Sequence, residues 1–397
     1  MTSCRSRRRS TSTRSSRSGG RAVSAAVGEA EDLRWMRRAL AHARRGLGRT
    51  TPNPVVGACV VTAEGVVVGD GTHERAGEPH AEIHAIEEAG DRARGATLYS
   101  TLEPCSHTGR TGPCTDRILA AGIRRVVAAM EDPFPLVSGR GFAILRDHGI
   151  DVRVGVGRDE AVRLNQPFLT AVRARRPFVT LKAATSLDGR LAAAAGERTP
   201  LTKEAASRHA HFVRAQVDAV GIGCGTLLVD DPLLTPRHVY RERPLARVVF
   251  DRRLRARPTA RLFSTLSAGP VIIMASRDAR CAHPERADAL ERAGAMVVAL
   301  DDPTMIEALR ALADRDIQSL VLEGGAAVHQ AAWDADVVDY VQLYVAPVTL
   351  GARGANAPTA PVPLALGRDV TVASLIERNV RMLGPDVLIE GYVHRPH

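Results

Sequence analysis

The chain has 397 residues, of which 45% are hydrophobic and 25% charged, and this length predicts two or three domains with substantial hydrophobic cores. No run approaches the roughly 18 apolar residues of a membrane span, and the 34 glycines and 23 prolines follow no collagen period. A fibrous, membrane-spanning or generally disordered protein is excluded, and we expect a globular protein with no membrane partner.

The net charge of +10 comes mainly from the N-terminal segment. Seven arginines lie between Arg5 and Arg21, and the first acidic residue is Glu29. A Ser/Arg-rich segment without acidic residues is typical of a disordered tail, of an organelle transit peptide or of a misassigned start codon. We expect residues 1–28 to form a disordered tail. We expect no nucleic-acid partner, because nucleic-acid binding needs a cationic face on a folded domain.

The cysteines and lysines narrow the function classes further. Six cysteines, at positions 4, 59, 105, 114, 224 and 281, are scattered through a long chain without a secretory signal. This distribution favours a reducing compartment, and we expect a cytoplasmic protein without a disulfide framework. Lys182 and Lys203 are the only lysines, and neither follows a glycine. The Gly-Lys-Ser/Thr core of a P-loop is therefore absent, which excludes the usual route to nucleotide hydrolysis.

The first half of the chain alternates between helical and strand-like segments. A helix is predicted from Ala30, with apolar residues on one face, and it ends at the glycines at positions 46 and 48. Two apolar strands follow. Further helices are predicted at residues 80–89 and 113–121, and further strands at 96–101 and 124–130. The alternation favours a layered α/β fold with a largely parallel sheet in a first domain over residues 29–155.

The second half predicts a connector and another α/β domain. Residues 156–176 are expected to form an amphipathic connector helix, which Pro177 ends before a new strand. Residues 177–397 form the second domain. Its strands are predicted near 217–223, 246–250, 270–275, 295–300 and 318–322, followed by a β-rich end from Tyr340 to Tyr392.

Three soft metal ligands stand at predicted helix starts. His80, Cys105 and Cys114 each follow a proline directly. One imidazole and two thiolates suit zinc, and three protein ligands rather than four leave a position for water, as in catalytic zinc sites. Glu82 is then placed to carry a proton from that water to a leaving amine. The pattern predicts one catalytic zinc ion per chain, in the layout of the zinc-dependent base deaminases.

The sequence around these ligands carries a longer pattern. Its three segments are Thr51-Pro-Asn53-Pro-Val-Val-Gly, His73-Glu-Arg-Ala-Gly-Glu-Pro-His80-Ala-Glu82 and Thr101-Leu-Glu103-Pro-Cys105-Ser-His-Thr-Gly-Arg-Thr-Gly-Pro-Cys114. They resemble the deaminase half of the bifunctional riboflavin-biosynthesis deaminase/reductase family, whose two cysteines are widely spaced. The resemblance implies that Asn53 holds the pyrimidine and that His73 and the loop 106–111 contact the substrate. The family usually has Asn where Phe134 stands, so one detail of the pocket is expected to differ.

Three segments of the second half lie at the ends of predicted strands, which is where α/β sheets bind ligands. They begin at Lys182, at Gly223 and at Leu322. The last, Leu322-Glu-Gly-Gly, precedes a helix, whose free N–H groups and positive dipole suit a pyrophosphate. In this order the segments resemble the reductase half of the same family. That resemblance implies a cytidine deaminase-like three-layer domain followed by a dihydrofolate reductase-like α/β domain that uses NADPH.

The resemblance also assigns individual residues. It implies that NADPH is bound by Ala184, Thr226 and Asp230 and by the turn from Gly324 to Gln330, which includes Gly325. It implies that the substrate is met by Arg214, Leu234, Arg237 and Glu323, and that Lys182 and Asp188 support the reduction. Arginines make chemical sense here, because a ribose 5-phosphate accepts bidentate guanidinium pairing.

The implied reaction has two steps on one small molecule, a phosphorylated ribosylaminopyrimidine. The first is deamination of 2,5-diamino-6-ribosylamino-4(3H)-pyrimidinone 5′-phosphate, and the second is NADPH-dependent reduction of the ribosyl group to a ribityl chain. We expect the enzyme to be a homo-oligomer. One departure bears on the second step. The family has Ser, a short residue and Trp after Gly196-Glu197, whereas this chain has Arg198-Thr-Pro-Leu201.

Two other interpretations remain open at this stage. The departures at Phe134 and Arg198 are compatible with a related deaminase/reductase that acts on another pyrimidine, with an altered reductase domain. The basic tail is compatible with a tRNA-editing deaminase. Deletion of residues 1–27 distinguishes the tRNA-editing interpretation from the others, because an editor would lose RNA affinity and a metabolite enzyme would not.

Overall fold

The computed structural model describes the chain in six segments, residues 18–106, 112–134, 138–194, 196–351, 362–363 and 370–396. The side chains of residues 18–27 and 362–363 are outside this description. Within these segments, no helix combines the length and the apolar character that crossing a membrane requires.

The N-terminal domain is a sheet between two layers of helices. Its elements are α1 (Ser18–Arg44), β1 (Gly57–Val61), β2 (Val67–Thr72), α2 (Ala81–Ala89), β3 (Thr97–Ser100), α3 (Cys114–Ala120), β4 (Arg125–Ala128), α4 (Arg140–Asp147) and β5 (Asp151–Val154). All five residues of β1 are buried, because helices cover both faces of the sheet. Successive strand residues point to opposite faces, so β1 presents Gly57 to α1 and its neighbour Ala58 to the side of α2.

The sheet of this domain is mixed, which corrects the expected largely parallel arrangement. Its strand order is β2-β1-β3-β4-β5. Strand β1 runs antiparallel to β2 and to β3, whereas β3, β4 and β5 are parallel. The physical reason is the short connection between β1 and β2, where the backbone N–H of Thr62 donates to Val66 O at 2.9 Å. A tight turn of this kind joins only antiparallel strands.

Helix α2 rests directly on the backbone of β2 through two glycines. A Cβ atom at Gly71 would lie 1.9 Å from Ala81 O, and one at Gly69 would lie 2.1 Å from Ala85 O. Only a residue without a side chain permits this approach. The glycines therefore fix the height of α2 above the sheet, and with it the position of the residues at the N-terminal end of the helix.

Two helical segments differ from expectation. Helix α1 begins at Ser18, within the segment that the sequence assigned to the tail, because its alanines at 22, 25 and 26 are strong helix formers. The expected single connector helix is two helices, α5 (Arg158–Leu164) and α6 (Gln166–Ala174). They are separated at Asn165, because Pro167 favours the first turn of a new helix over the interior of a continuous one.

The C-terminal domain is built on a second, larger sheet. Its elements are β6 (Phe178–Thr185), β7 (Arg190–Ala192), α7 (Glu204–Gln216), β8 (Ala219–Gly223), α8 (Cys224–Asp230), β9 (Ala246–Phe250), β10 (Val271–Ser276), α9 (Arg277–Ala282), α10 (Pro284–Arg292), β11 (Ala295–Leu300), α11 (Met305–Ala313), β12 (Ser319–Gly324), α12 (Ala326–Asp334), β13 (Tyr340–Val345), β14 (Val362–Pro363), β15 (Ile376–Leu383) and β16 (Asp386–Tyr392). The strands β6, β8, β9, β10, β11 and β12 agree in position with those that the sequence predicts, whereas β7 was not predicted.

The large sheet has the order β11-β10-β9-β8-β12-β6-β13-β16-β15. The strands from β11 to β13 are parallel, and β16 and β15 continue the sheet in antiparallel register. The short strands β7 and β14 pair with each other outside it. Strands β8, β12 and β6 are adjacent, so their carboxyl ends meet at one edge, where ligands bind in open α/β sheets.

Polar contacts join the two domains. The Arg49 Nε donates to Glu242 Oε2 at 2.9 Å, and Arg75 pairs with the same carboxylate. The Gln318 side-chain amide donates to Pro52 O at 2.8 Å. Residues just before β1 are thus held against the C-terminal domain.

Candidate active sites

The predicted metal ligands come together in the N-terminal domain. His80 Nδ1 lies 3.2 Å from Cys114 Sγ and 3.5 Å from Cys105 Sγ, and the three ligand atoms lie within 4.8 Å of one another. His80 precedes α2, Cys105 follows β3 and Cys114 opens α3. Donation from the Cys114 and His80 side chains and from the Cys114 N–H lowers the pKa of the Cys105 thiol to about 4. A thiolate within such a soft donor set fits zinc.

Glu82 lies beside the ligand cluster and is almost fully buried. Its side chain is in the first turn of α2, with Oε2 3.7 Å from Cys114 Sγ. The Ser100 hydroxyl donates to Oε1 at 3.0 Å and fixes the orientation of the carboxyl group. Burial raises the pKa of Glu82 above its ordinary value. A carboxyl group held beside a metal-bound water can take a proton from that water and pass it to a leaving group.

A cavity of about 590 Å³ opens onto this cluster. Its walls include the predicted substrate residues Asn53 and His73. Burial lowers the pKa of His73, which keeps its ring neutral. The ring Nδ1–H donates to Pro79 O at 3.2 Å, and Nε2 accepts from the Asn53 amide at 3.0 Å. His73 thus orients Asn53, whose amide oxygen is left to accept from a ligand.

Glu103 is a functional residue to which sequence reasoning gave no role of its own. Its buried carboxylate accepts backbone N–H bonds from Asp132 at 3.2 Å, Gly139 at 3.0 Å, Gly141 at 2.9 Å and Phe142 at 3.4 Å. Glu103 directly precedes Pro104 and Cys105. It therefore ties the loop after β4 to the metal-ligand segment. The signal in the sequence was an acidic residue at the end of a buried strand.

Other walls of the cavity come from outside the predicted motifs. Phe134, where the resemblance expects Asn, lines the cavity with 43% of its surface exposed. Phe168 comes from α6, and Asp316 comes from the C-terminal domain. The predicted contact loop 106–111 is described only at Ser106, and residues 107–111 lie outside the described residues.

The C-terminal domain has two adjoining cavities at the carboxyl ends of β6, β8 and β12. The larger, of about 690 Å³, follows the turn between β12 and α12, and the smaller, of about 340 Å³, lies toward α7. The two cavities share part of their walls. The shared residues are Lys182, Arg198, Thr226, Asp230 and Glu323.

The larger cavity contains the predicted cofactor residues Ala184, Gly324 and Gly325, and it shares Thr226 and Asp230 with the smaller one. A Cβ atom at Gly325 would lie 2.9 Å from Thr226 Oγ1, so the backbone of this turn passes close to that side chain. The turn continues into α12, whose N-terminus carries unpaired N–H groups. A wide cavity beside a glycine cradle and a helix N-terminus fits a dinucleotide with its pyrophosphate.

The smaller cavity contains the predicted substrate residues. The buried Arg214 donates to both carboxylate oxygens of Glu323 at 2.6 Å, from Nε and from Nη2. Burial opposes ionisation of Glu323, but the charge and hydrogen bonds of Arg214 prevail and lower its pKa to about 2. Leu234 and Arg237 line the same cavity, and the Arg237 N–H donates to His211 Nδ1 at 3.2 Å. Arg214 is therefore already neutralised, whereas Arg237 faces the cavity without a carboxylate partner among the described residues.

The two residues expected to support reduction are placed differently. Lys182, on β6, lies in the wall common to both cavities, with Nζ 5.3 Å from the centre of the Tyr344 ring. Burial and the nearby Arg214 lower its pKa, although Glu323 opposes the shift. Asp188 lies in neither cavity. Its carboxylate accepts from the N–H groups of Leu350 at 3.1 Å and Gly351 at 2.9 Å, and so holds a surface turn.

Comparisons with known proteins identify a family for each half of the chain. Residues 29–130 match the cytidine and deoxycytidylate deaminase zinc-binding region, and residues 177–389 match the RibD C-terminal domain. Among curated relatives, the chain is 41% identical over 320 residues to the riboflavin biosynthesis protein RibD of Aquifex aeolicus, covering 81% of this chain and 88% of that protein. It is 40% identical over 355 residues to RibD of Bacillus amyloliquefaciens, covering 89% and 94%.

Solved structures show the same similarity to RibD proteins. The structure of Acinetobacter baumannii RibD superposes with a TM-score of 0.79 at 34% identity, covering 92% of this chain and all of that one. A Thermotoga maritima diaminohydroxyphosphoribosylaminopyrimidine deaminase/5-amino-6-(5-phosphoribosylamino)uracil reductase superposes with a TM-score of 0.78 at 34% identity, covering 92% and 99%.

Fold and sites together define a two-domain enzyme, with a cytidine deaminase-like domain followed by a dihydrofolate reductase-like domain. The fold class and the bifunctional deaminase/reductase expected from the sequence are thus confirmed. The chain belongs to the RibD family of riboflavin biosynthesis.

Proposed function

We propose that the chain deaminates 2,5-diamino-6-ribosylamino-4(3H)-pyrimidinone 5′-phosphate in the N-terminal domain and reduces the product with NADPH in the C-terminal domain. The observation that carries the proposal is the cluster of His80, Cys105 and Cys114 with Glu82 beside it, on the same chain as an intact second site around Lys182 and Glu323. The proposed domains are residues 29–155 and 177–397, joined by 156–176.

In the deaminase site, each residue has a distinct task. His80, Cys105 and Cys114 would hold one zinc ion per chain, which would lower the pKa of the attacking water when bound. Glu82 takes a proton from the water as its oxygen bonds to C2 of the pyrimidine. Glu82 then gives the proton to the amino group on the same carbon, which leaves as ammonia. Asn53 holds the ring in place, since His73 fixes its amide with the oxygen toward the cavity.

In the reductase site, Lys182 lies where the two cavities meet. The larger cavity would hold NADPH, which would supply the hydride when bound. The Lys182 ammonium donates a proton to the ring oxygen of the ribosyl group as the sugar opens, and C1 then accepts the hydride. The proton and the hydride together convert the ribosylamino group into a ribitylamino group. Thr226, Asp230 and the turn at Gly324 and Gly325 bind the cofactor.

We place the substrate phosphate in the smaller cavity. Four arginines line it, Arg198, Arg214, Arg237 and Arg261, and Glu323 neutralises only the second of them. The remaining guanidinium groups suit a dianionic phosphate. Arg198, which stands in place of the family's serine, thus adds a charge for substrate binding rather than marking a disabled site. We propose that the enzyme acts in the cytoplasm on this small molecule, as a homo-oligomer and without nucleic acid.

The experiment that tests the function uses purified full-length protein with the diaminopyrimidinone ribosyl phosphate, with and without NADPH. Ammonia and the ribityl product are measured separately. Release of ammonia without NADPH, followed by NADPH-dependent formation of the ribityl product, supports both steps. Ammonia without reduction would contradict the reductase assignment, and turnover of only a different aminopyrimidine would favour the related pathway enzyme.

Removal of zinc is expected to abolish ammonia release and to leave reduction intact, because the metal ligands lie on the N-terminal domain only. Dialysis against a chelator tests this, with reductase activity measured on separately supplied deaminated substrate. Metal analysis of Cys114→Ser should show a zinc content well below the one ion per chain expected for the unmodified protein. Cys59→Ser is the matched control, since Cys59 is a buried thiol away from the cluster. Unchanged ammonia release by the metal-free protein would contradict the prediction.

Replacement of Arg198 by Ala is expected to raise the KM for the deaminated substrate by about tenfold, the value of one charge-assisted contact. Deamination should not change. Arg208→Ala is the control, because Arg208 is an exposed arginine on α7 whose ion pair within the described part of the chain is with Glu204. Steady-state NADPH oxidation measures both variants. A KM equal to that of the unmodified enzyme would remove Arg198 from the phosphate site.

A further inference from the structure

The wall of the deaminase cavity contains a carboxylate from the reductase domain. Asp316 lies in the turn between α11 and β12 and lines the same cavity as Asn53, His80 and Glu82. Its backbone N–H donates to Ala313 O at 3.0 Å, which closes the turn after the helix. The cavity is therefore completed by a residue more than 150 positions beyond the deaminase domain.

The turn that carries Asp316 is fixed against the deaminase domain. Two residues later, the Gln318 amide donates to Pro52 O at 2.8 Å, and Pro52 itself lines the cavity. Nearby, Glu242 of the reductase domain pairs with Arg49 and Arg75 of the deaminase domain. These contacts set the position of Asp316 relative to the zinc cluster without using the Asp316 carboxylate.

The carboxylate of Asp316 remains available to a ligand. The residue is exposed, and none of the described hydrogen bonds or ion pairs involves its side chain. His80, Glu82, Cys105 and Asn53 line the cavity, and in the proposed function they take the reacting edge of the pyrimidine. A substituent on the opposite side of the ring must then extend toward the exposed walls, where Asp316 lies.

The substituent there is a ribosyl group, and its vicinal hydroxyls are hydrogen-bond donors. An ionised carboxylate has acceptors only, and a carboxylate that accepts from ribose hydroxyls is a recurrent way of recognising the sugar in nucleotide sites. Phe134 and Phe168, in the same cavity, supply apolar surface for the ring and sugar. The negative charge of a carboxylate at this point repels a phosphate group, and its oxygens favour a diol.

We propose that Asp316 of the reductase domain accepts hydrogen bonds from the ribosyl hydroxyls of the substrate during deamination. This inference rests on the proposed function, and it makes Asp316 a specificity-determining residue rather than a catalytic one. The reductase domain then completes the substrate site of its neighbour, and the deaminase recognises the ribosylated pyrimidine better than the free base.

The test uses two variants in the full-length chain, Asp316→Asn and Asp316→Gly. Asp316 has a φ of 58°, a left-handed conformation that Asn and Gly adopt readily, so both variants should fold. We expect the KM for deamination to rise by roughly threefold with Asn and roughly tenfold with Gly, with kcat and zinc content unchanged. Reduction of supplied deaminated substrate should not change. Asp314→Asn is the matched control, an exposed aspartate of the same turn outside the cavity.

A substrate analogue with a 2′,3′-dideoxyribosyl group completes the test. If Asp316 binds the hydroxyls, the unmodified enzyme and both Asp316 variants should deaminate this analogue with the same KM. An equal KM of all proteins for the normal substrate overturns the proposal, as does an Asp316 effect of the same size on the dideoxy analogue. Failure of the unmodified enzyme to release ammonia from the normal substrate would instead overturn the proposed function, and the two failures are thus distinguishable.

Discussion

Replacement of Glu82 by Gln is expected to lower the kcat of deamination by about a thousandfold, within the range that general acid–base groups contribute. Gln keeps the size of the side chain and its hydrogen bond from Ser100, but it cannot take the proton from water or return it to the leaving amine. Glu82 is not a metal ligand, so the zinc content should stay at one per chain. The measurement is ammonia release, beside metal analysis of the same protein.

Two controls separate this loss from misfolding. Reduction of supplied deaminated substrate by Glu82→Gln should equal that of the unmodified enzyme. Glu87→Gln makes the same chemical change on an exposed position of α2 and should leave deamination intact. Deamination by Glu82→Gln within tenfold of the normal rate would mean that another group carries the proton.

Replacement of Lys182 by Met is expected to lower the kcat of reduction by about two to three orders of magnitude and to leave deamination unchanged. Met preserves the apolar stem that packs in the wall of both cavities, and it removes the ammonium group that gives the proton. The chain offers a close control, because Lys203 is its only other lysine and is exposed. Lys203→Met should reduce the substrate normally. Normal reduction by Lys182→Met would exclude the lysine as the proton donor.

The same assignment fixes a pH dependence. Burial lowers the pKa of Lys182 below the ordinary 10.5. The protonated form is the active one, so reduction should be supported at lower pH and should decline as the pH rises through this lowered value. Isotope labelling of the two lysines allows the Lys182 pKa to be measured directly by NMR. A decline that persists in Lys182→Met would assign the titration to another group.

The chemistry of the first site was predictable because its residues are close together along the chain. His80 and Glu82 are two residues apart at a helix start, and Cys105 and Cys114 follow the next strand along the chain. The sheet, with β1 between β2 and β3, then brings the two groups to one edge. The pair formed by Arg214 and Glu323 could not be predicted from residue spacing, since the two residues are on α7 and β12 and meet only in the folded domain. There the resemblance to a known family supplied what residue spacing could not.

The parts that sequence reasoning did not reach depend on packing between distant elements. Asp316 is an ordinary turn residue by its neighbours, and nothing near it indicates that a second domain places it against the zinc site. Phe168 reads as an apolar helix residue for the same reason. The sheet was expected to be largely parallel, because an apolar run predicts a buried strand but not the direction of its neighbours. The short turn from β1 to β2 makes these two strands antiparallel.

The two cavities of the reductase domain share the side chains of Lys182, Thr226 and Glu323, and this common wall has a thermodynamic consequence. A ligand in one cavity changes the surface and the charge that the ligand in the other cavity meets. The free energies of binding of cofactor and of reducible substrate are therefore coupled. By linkage, the factor by which bound cofactor changes the affinity for substrate equals the factor by which bound substrate changes the affinity for cofactor.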